Sequence, residues 1–310
     1  MPETRLRRIL PEISSMLLFL VTSLFSVYIS LYLKSSGNAP SQSSSLNILE
    51  IVVYIIATLV FSAIVIVLAR KKKLRIVKIV FLVLAAYIVF YMATVIGEIF
   101  YTFVYDIYSG FGILALSTEA TFATYSYYII IVALPAVLIY YLVVRNEWYV
   151  TDTVGFLMTA GIASVWGLLL GVWYAVALLA VFAVYDYISV YRTKHMLTLA
   201  KAAVDESLPM LFVFPHSRDF SMNGLTWDNR GEGEVMMLGF GDIALPAVMV
   251  VSSAVYGYST SYFYLLLPLI GALAGMAILL FFGVKKPAPG LPFINSGAIL
   301  GFLLAFALFR

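Results

Sequence analysis

The sequence lacks several residue types on which soluble enzymes commonly depend. Its 310 residues include no cysteine and only two histidines, His195 and His216. The absence of cysteine excludes disulfides and thiolate chemistry, and two histidines outside the apolar runs leave few ligands for a zinc site. Charged residues make up only 11% of the chain, whereas a soluble domain carries about 25%. With 63% hydrophobic residues, the composition is typical of an integral membrane protein with helical spans.

Long apolar runs divide the chain into nine predicted spans. They lie at about residues 13–33, 48–69, 74–96, 127–144, 153–169, 171–191, 235–256, 262–283 and 291–309. The first run is long enough to be a retained span rather than a secretory signal. The run from 153 to 191 is too long for one crossing, and we split it at Gly167–Gly171. The moderately apolar stretch at 98–126 is open to interpretation as a loop or as a re-entrant segment.

The positions of the basic residues favour this number of spans. With a cytoplasmic N-terminus, all of the 19 lysines and arginines except Lys34 and Arg310 fall on the cytoplasmic side, as the positive-inside rule predicts. The sequence therefore predicts an all-α membrane protein with nine transmembrane helices, a cytoplasmic N-terminus and an extracellular C-terminus. Residues 1–310 form one polytopic domain, in which a cytoplasmic loop at 192–234 separates spans one to six (1–191) from spans seven to nine (235–310).

The cytoplasmic loop contains an apolar stretch, bounded by Pro209 and Pro215, that is too short to cross a membrane. We predict that it forms a short strand or a segment lying on the surface. The stretch NGLTWDNRGEGE that follows is predicted to be flexible.

Two carboxylates lie inside predicted spans. Glu50, Glu98 and Asp152 lie at span ends, and we interpret them as solvated flanking residues. Asp186 and Asp242 lie within the sixth and seventh spans, where a carboxylate costs several kcal/mol and usually faces a polar interior. At ~1.5 Å per helical residue, both lie about 8–11 Å below the cytoplasmic surface. Because consecutive antiparallel spans commonly pack side by side, the two carboxylates can meet at one level.

A facing pair of carboxylates can hydrolyse a peptide bond without a metal, cysteine or histidine. At about 3 Å the two groups do not both ionise easily, so one keeps a proton. The charged group can then take a proton from water, while the protonated group donates to a carbonyl oxygen. Gly239 and Gly241, directly before Asp242, would weaken the helix and let backbone or substrate approach, or would instead mark a helix-packing face.

Three motifs resemble the signatures of a known family. Tyr185-Asp186, Gly239-Phe240-Gly241-Asp242 and PAPGLPFINSG at the start of the last span resemble the YD, GxGD and PALP motifs of presenilin and signal peptide peptidase, the intramembrane aspartyl proteases. The resemblance is sharpest from about residue 180 to the C-terminus. The sequence resembles both the presenilin branch and the signal peptide peptidase branch, which is typical of an archaeal-type presenilin homologue. It implies that Asp186 and Asp242 are the catalytic aspartates.

The same resemblance implies which residues shape the active site. They are Tyr185, Gly239, Phe240, Gly241 and the four residues that match PALP, namely Pro289, Gly290, Leu291 and Pro292. Glycine stands at position 290 where the family usually has alanine, and we expect this change to be tolerated. The family also implies that the stretch before the GxGD motif, here Leu208–Pro215 and Glu232–Met237, holds the substrate in extended form.

The resemblance further implies a multi-pass protein of the cell membrane that cleaves peptide bonds within the transmembrane helices of substrate proteins. No cofactor or metal is implied. Accessory subunits are not expected to be required, and a homo-oligomer is open.

Three other classes are considered on the residues alone. A proton- or sodium-coupled transporter could use the same two carboxylates as ion relays, although no second broken helix is apparent. The stretch LGFGD is similar to a potassium-channel filter, but it lacks the threonine and begins at the cytoplasmic face. A purely structural membrane protein would leave the two carboxylates unexplained.

Overall fold

A computed structural model describes residues 2–37, 53, 56, 60, 64, 67–68, 74–110, 118–145, 147–193, 195–205, 208–216, 220–222, 225–227, 235–257, 260–282 and 289–309. The predicted second span, 48–69, lies outside these residues apart from a few single positions. In chain order the described elements are α1 (Pro2–Ser35), α2 (Leu74–Gly110), α3 (Thr118–Val144), α4 (Trp148–Leu169), α5 (Val172–Tyr191), α6 (His195–Asp205), β1 (Leu211–Pro215), β2 (Val235–Gly239), α7 (Phe240–Tyr256), α8 (Phe263–Phe282) and α9 (Leu291–Phe309).

Within these ranges, seven helices are long and apolar enough to cross a membrane: α1 to α5, α8 and α9. Helix α7 is also apolar but has only 17 residues. The predicted turn between spans five and six is confirmed, because α4 ends at Leu169 and α5 begins at Val172. The fold is thus a mostly helical membrane bundle.

The structure corrects three expectations about local structure. The interpretation of 98–126 as a loop or re-entrant segment is wrong for its described part, because α2 continues to Gly110 and α3 already begins at Thr118. The seventh predicted span is wrong at its start, since residues 235–239 form strand β2. The predicted loop at 192–234 contains helix α6, which the sequence did not lead us to expect. The strand predicted before Pro215 is confirmed as β1.

Helix α7 lies at the centre of the bundle and contacts α1, α4, α5, α8 and α9. Almost all of its residues after Asp242 are buried. Small side chains let the neighbours come close: a Cβ at Gly167 of α4 would overlap Val251 of α7. Hydroxyls join the helices where lipid offers no partner, since Ser252 Oγ donates to the Leu170 carbonyl at 2.7 Å. The element that carries Asp242 is therefore held on all sides.

Helices α8 and α9 pack backbone to backbone through glycines. A Cβ at Gly271 of α8 would run into the carbonyl oxygen of Gly297 of α9, and a Cβ at Gly297 would run into that of Gly271. Small residues let helix backbones approach closely in lipid, where helices associate through van der Waals packing because the hydrophobic effect does not act between them. Helix α9 is also joined to α5, because Asn295 Nδ2 donates to the Leu179 carbonyl at 3.1 Å. These contacts hold the start of α9 beside α5.

Strands β1 and β2 form a two-stranded antiparallel sheet, here called the β-ribbon, with register from Leu211 opposite Gly239 to Pro215 opposite Val235. The Phe240 N–H donates to the Met210 carbonyl at 3.1 Å, which extends the ladder to the first residue of α7. Because β2 runs without interruption into α7, the position of the β-ribbon determines where α7 begins.

Candidate active site

Asp186 lies on α5 and is 5% exposed. Its Oδ2 accepts a hydrogen bond from the Leu291 N–H at 3.1 Å, and the Gly290 N–H also lies within hydrogen-bonding reach. Both donors belong to the start of α9, where backbone N–H groups have no partner within the helix. The positive end of the α9 dipole therefore points at the Asp186 carboxyl.

Asp242 lies in the first turn of α7. The predicted span 235–256 placed it about seven residues into a helix, because residues 235–239 were expected to be helical and instead form β2. Its carboxyl reaches back to the N–H of Gly239, the residue that caps this helix. The contact is the same as the return contact of a capping box, in which a side chain in the first turn satisfies the N-cap amide. Asp242 is thus oriented by the backbone that immediately precedes it.

A single turn of the chain lies against both aspartates. While Leu291 N–H donates to Asp186, a Cβ placed on Gly290 would lie 3.0 Å from Oδ1 and 3.1 Å from Cγ of Asp242. The two carboxyls are close enough for their charges to interact. The expectation that consecutive spans bring Asp186 and Asp242 together is confirmed, since α5 packs on α7.

The glycines of the GxGD motif lie at the junction of strand and helix. Gly239 ends β2, and a Cβ there would lie 3.2 Å from Asp242 Oδ2. Gly241 is exposed, with nothing within 4 Å of its Cβ position. The expectation that both glycines weaken a helix before Asp242 is wrong for Gly239, which ends a strand, whereas Gly241 lies in the first turn of α7. The open space beside Gly241 agrees with the expectation that backbone or substrate can approach closely there.

The remaining motif residues divide into two groups. Pro289 and Leu291 are buried on either side of Gly290, and Pro292 occupies the first turn of α9, where a missing N–H does no harm. The ring of Phe240 instead packs on Phe212, with centroids 4.6 Å apart, and the ring of Tyr185 packs edge-on against Phe182.

Asp152 on α4 is a residue whose role the sequence analysis missed. We interpreted it as a solvated flanking residue, and this is wrong: its Oδ1 accepts a hydrogen bond from the Val213 N–H of β1 at 2.9 Å. A carboxylate four residues into an apolar helix was the only available signal. Among the residues that the structure describes, no three His, Asp or Glu side chains converge where a metal ion could bind.

Comparison with known proteins identifies the family. The sequence model of the family described as signal-peptide peptidase, presenilin aspartyl protease matches residues 16–310. A presenilin family intramembrane aspartate protease solved in space group C222 is 27% identical, with a TM-score of 0.60 over 96% of this chain and 99% of that chain. A structure of such a protease in space group P2 is 27% identical, with a TM-score of 0.56 over 94% and 96% of the two chains. No curated protein matches the sequence.

These findings decide among the classes considered above. They give no support to an ion-coupled transporter. The filter interpretation is wrong for a structural reason, because Phe240, Gly241 and Asp242 are helical and their carbonyls do not line a pore in extended form. The family match covers nearly the whole chain and agrees with a pair of carboxyls joined by the turn at Gly290. The chain belongs to the signal-peptide peptidase, presenilin aspartyl protease family, and it is a multi-pass intramembrane aspartyl protease.

Proposed function

We propose that Asp186 and Asp242 are the catalytic carboxyls of this intramembrane protease. The observation that supports the assignment is the turn at Gly290–Leu291, which donates an N–H to one carboxyl and lies against the other. Two groups held on one turn, with their charges interacting, can share a single proton.

In the proposed reaction, the ionised carboxylate removes a proton from a water molecule as its oxygen attacks the carbonyl carbon of the scissile peptide. The protonated carboxyl gives its proton to the carbonyl oxygen, and a neutral tetrahedral diol results. When the diol collapses, the C–N bond breaks, one hydroxyl proton returns to the pair, and the nitrogen leaves with a proton from the other carboxyl. The pair again holds one proton, so the cycle needs no cofactor. Either aspartate can begin as the base.

Two helix N-termini meet at the proposed pair, which supports a net negative charge there. Asp242 lies in the first turn of α7, and Asp186 accepts from the first N–H groups of α9. Partial positive charge at a helix N-terminus stabilises an anion by about 0.3–1 kcal/mol, and more when partly buried. The singly charged pair is thereby stabilised by backbone N–H groups and helix dipoles.

We propose that the substrate is a transmembrane helix, locally unwound and added as a strand to the edge of β2 that faces away from β1. Val213 and Met237 face each other across the β-ribbon. They form a non-hydrogen-bonded pair, because the hydrogen-bonded pairs fall at Phe240 and at every second residue before it. The Met237 N–H and C=O therefore point away from β1 and can pair with an extended peptide. A strand at this edge would run directly past Gly241 and Asp242.

We further propose nine spans, a cytoplasmic N-terminus and an extracellular C-terminus for a single domain of residues 1–310. The seven long helices, the shorter α7 and the predicted span at 48–69 support this number. We propose that the chain cleaves without accessory subunits, as a monomer or a homo-oligomer. Because the chain has no cysteine, single cysteines introduced at helix ends and labelled from one side of the membrane test the topology directly.

The catalytic assignment is tested with purified protein in liposomes and a single-span peptide substrate. Asp186→Asn and Asp242→Asn keep the size of each side chain and remove its acid–base function, so each should lower kcat by at least about 10²-fold. Glu147→Gln is the matched control, because Glu147 caps α4 without a side-chain hydrogen bond and should leave kcat unchanged. Retained cleavage in either aspartate variant would refute the assignment.

A further inference from the structure

We infer that Asp152 of α4 is a positioning residue for the proteolytic reaction, which fixes the β-ribbon and, through it, the start of the helix that carries Asp242. The inference rests on the proposed function, since it concerns the placement of Asp242 as a catalytic group. Asp152 would act through the backbone of β1 and not by contact with the substrate.

The first observation is the hydrogen bond at the outer edge of β1. Val213 does not pair with β2 through its own N–H, because it lies in a non-hydrogen-bonded pair. Its N–H therefore points away from the ribbon and donates to Asp152 Oδ1 at 2.9 Å. Val213 is 2% exposed, and an unpaired N–H buried at a strand edge is strongly unfavourable. Asp152 satisfies this donor and closes the β1 edge.

The second observation is the close packing of two aromatic rings on α4 at Gly155, one helical turn after Asp152. Gly155 has no side chain, and a Cβ there would lie 2.5 Å from Cε1 and Cζ of Phe240 and 2.9 Å from Cε1 of Phe212. The two rings, whose planes are tilted by 52° to each other, thus pack directly on the α4 backbone. Residues at i and i+3 share one helix face. Asp152 and Gly155 therefore contact the β-ribbon from the same face of α4, Asp152 through its hydrogen bond and Gly155 through the aromatic rings that pack on it.

The third observation is the continuous path from this contact to the active site. Val213 is opposite Met237, β2 continues to Gly239, and the Gly239 N–H lies within reach of the Asp242 carboxyl. Phe240 is the first residue of α7, directly after the end of β2, and its N–H donates a hydrogen bond to the Met210 carbonyl. A displacement of β1 away from α4 is therefore carried by the ladder to the N-terminal turn of α7.

The experiment compares Asp152→Leu, which removes the acceptor, with Asp152→Asn, which keeps an oxygen for the Val213 N–H. Glu147→Leu removes a carboxylate at the same end of α4 and is the control. In liposomes with a single-span peptide, we expect Asp152→Leu to lower kcat by about tenfold, since errors of 1 Å in geometry cost about 10²-fold. KM should stay within about twofold of wild type. Asp152→Asn should restore kcat to within about threefold, and Glu147→Leu should match wild type.

Three results would overturn the inference: wild-type kcat in Asp152→Leu, equal loss in the Asn and Leu variants, or a loss of thermal stability alone. If Asp152→Leu does not fold, Val213→Pro decides, because it removes the donor at an edge position that tolerates proline; unchanged kcat in that variant also overturns it. Failure of the proposed function is distinguishable, since it would appear as activity in Asp186→Asn or Asp242→Asn. With those variants inactive and Asp152→Leu normal, only the inference about Asp152 is wrong.

Discussion

The substitution Gly290→Ala changes the contact between the turn and Asp242 by one methyl group. Its Cβ would lie 3.0 Å from Asp242 Oδ1, which is 0.4 Å inside the 3.4 Å at which ordinary contacts begin. The start of α9 does not withdraw freely, because the Leu291 N–H is bonded to Asp186. We therefore expect the Asp242 carboxyl to move away by about 0.4 Å, the size of the overlap.

The effect on rate follows from this displacement. A misplacement of 1 Å can lower the rate about 10²-fold, so a shift of about 0.4 Å, scaled logarithmically, predicts a roughly sixfold lower kcat. This corresponds to about 1.1 kcal/mol of activation free energy. The enzyme should remain active, because alanine is the residue that the family motif usually has at the position of Gly290. Gly290→Val adds two further carbons beside the same carboxyl and should lower kcat by at least about 10²-fold.

The assay is cleavage of a single-span peptide in liposomes, with kcat measured by mass spectrometry and thermal unfolding measured in detergent. Gly171→Ala is the matched control, because its Cβ would make only an ordinary contact, 3.4 Å from Tyr174 Cδ2. The reasoning would be refuted if both variants at position 290 were folded and cleaved at the wild-type rate. The turn would then not determine the position of Asp242.

Three further predictions follow from the same structure. The kcat of cleavage should fall at alkaline pH, because the pair must keep one shared proton; a pH–rate profile that stays flat well above neutrality would contradict this. Gly155→Ala should displace the Phe240 ring and lower kcat by about tenfold, and an unchanged kcat would show that the packing of this ring on Gly155 is not needed. Gly297→Ala should overlap the Gly271 carbonyl and destabilise the bundle by about 1–3 kcal/mol, measured as a lower unfolding temperature in detergent.

The sequence predicted those features that depend on local composition. The turn between Leu169 and Val172 and the start of α9 at Leu291 follow from apolar runs and their interruptions. The residues 235–239 were assigned to a helix because a short apolar run has the same composition in a buried strand and in a span. Their partner, β1, supplies the hydrogen bonds that make them a strand, and no local pattern indicates that pairing.

The sequence by itself determined that this is a membrane protein, how its apolar runs divide, and that two carboxylates lie at a similar depth, because each of these depends on composition and residue count along one segment. The tertiary structure alone decided how the carboxylates are held. Asp186 is bonded to an N–H that lies 105 positions later in the chain, and Asp152 is bonded to one 61 positions later. Such partners are chosen by the packing of whole helices, since a backbone N–H is the same group at every position except proline.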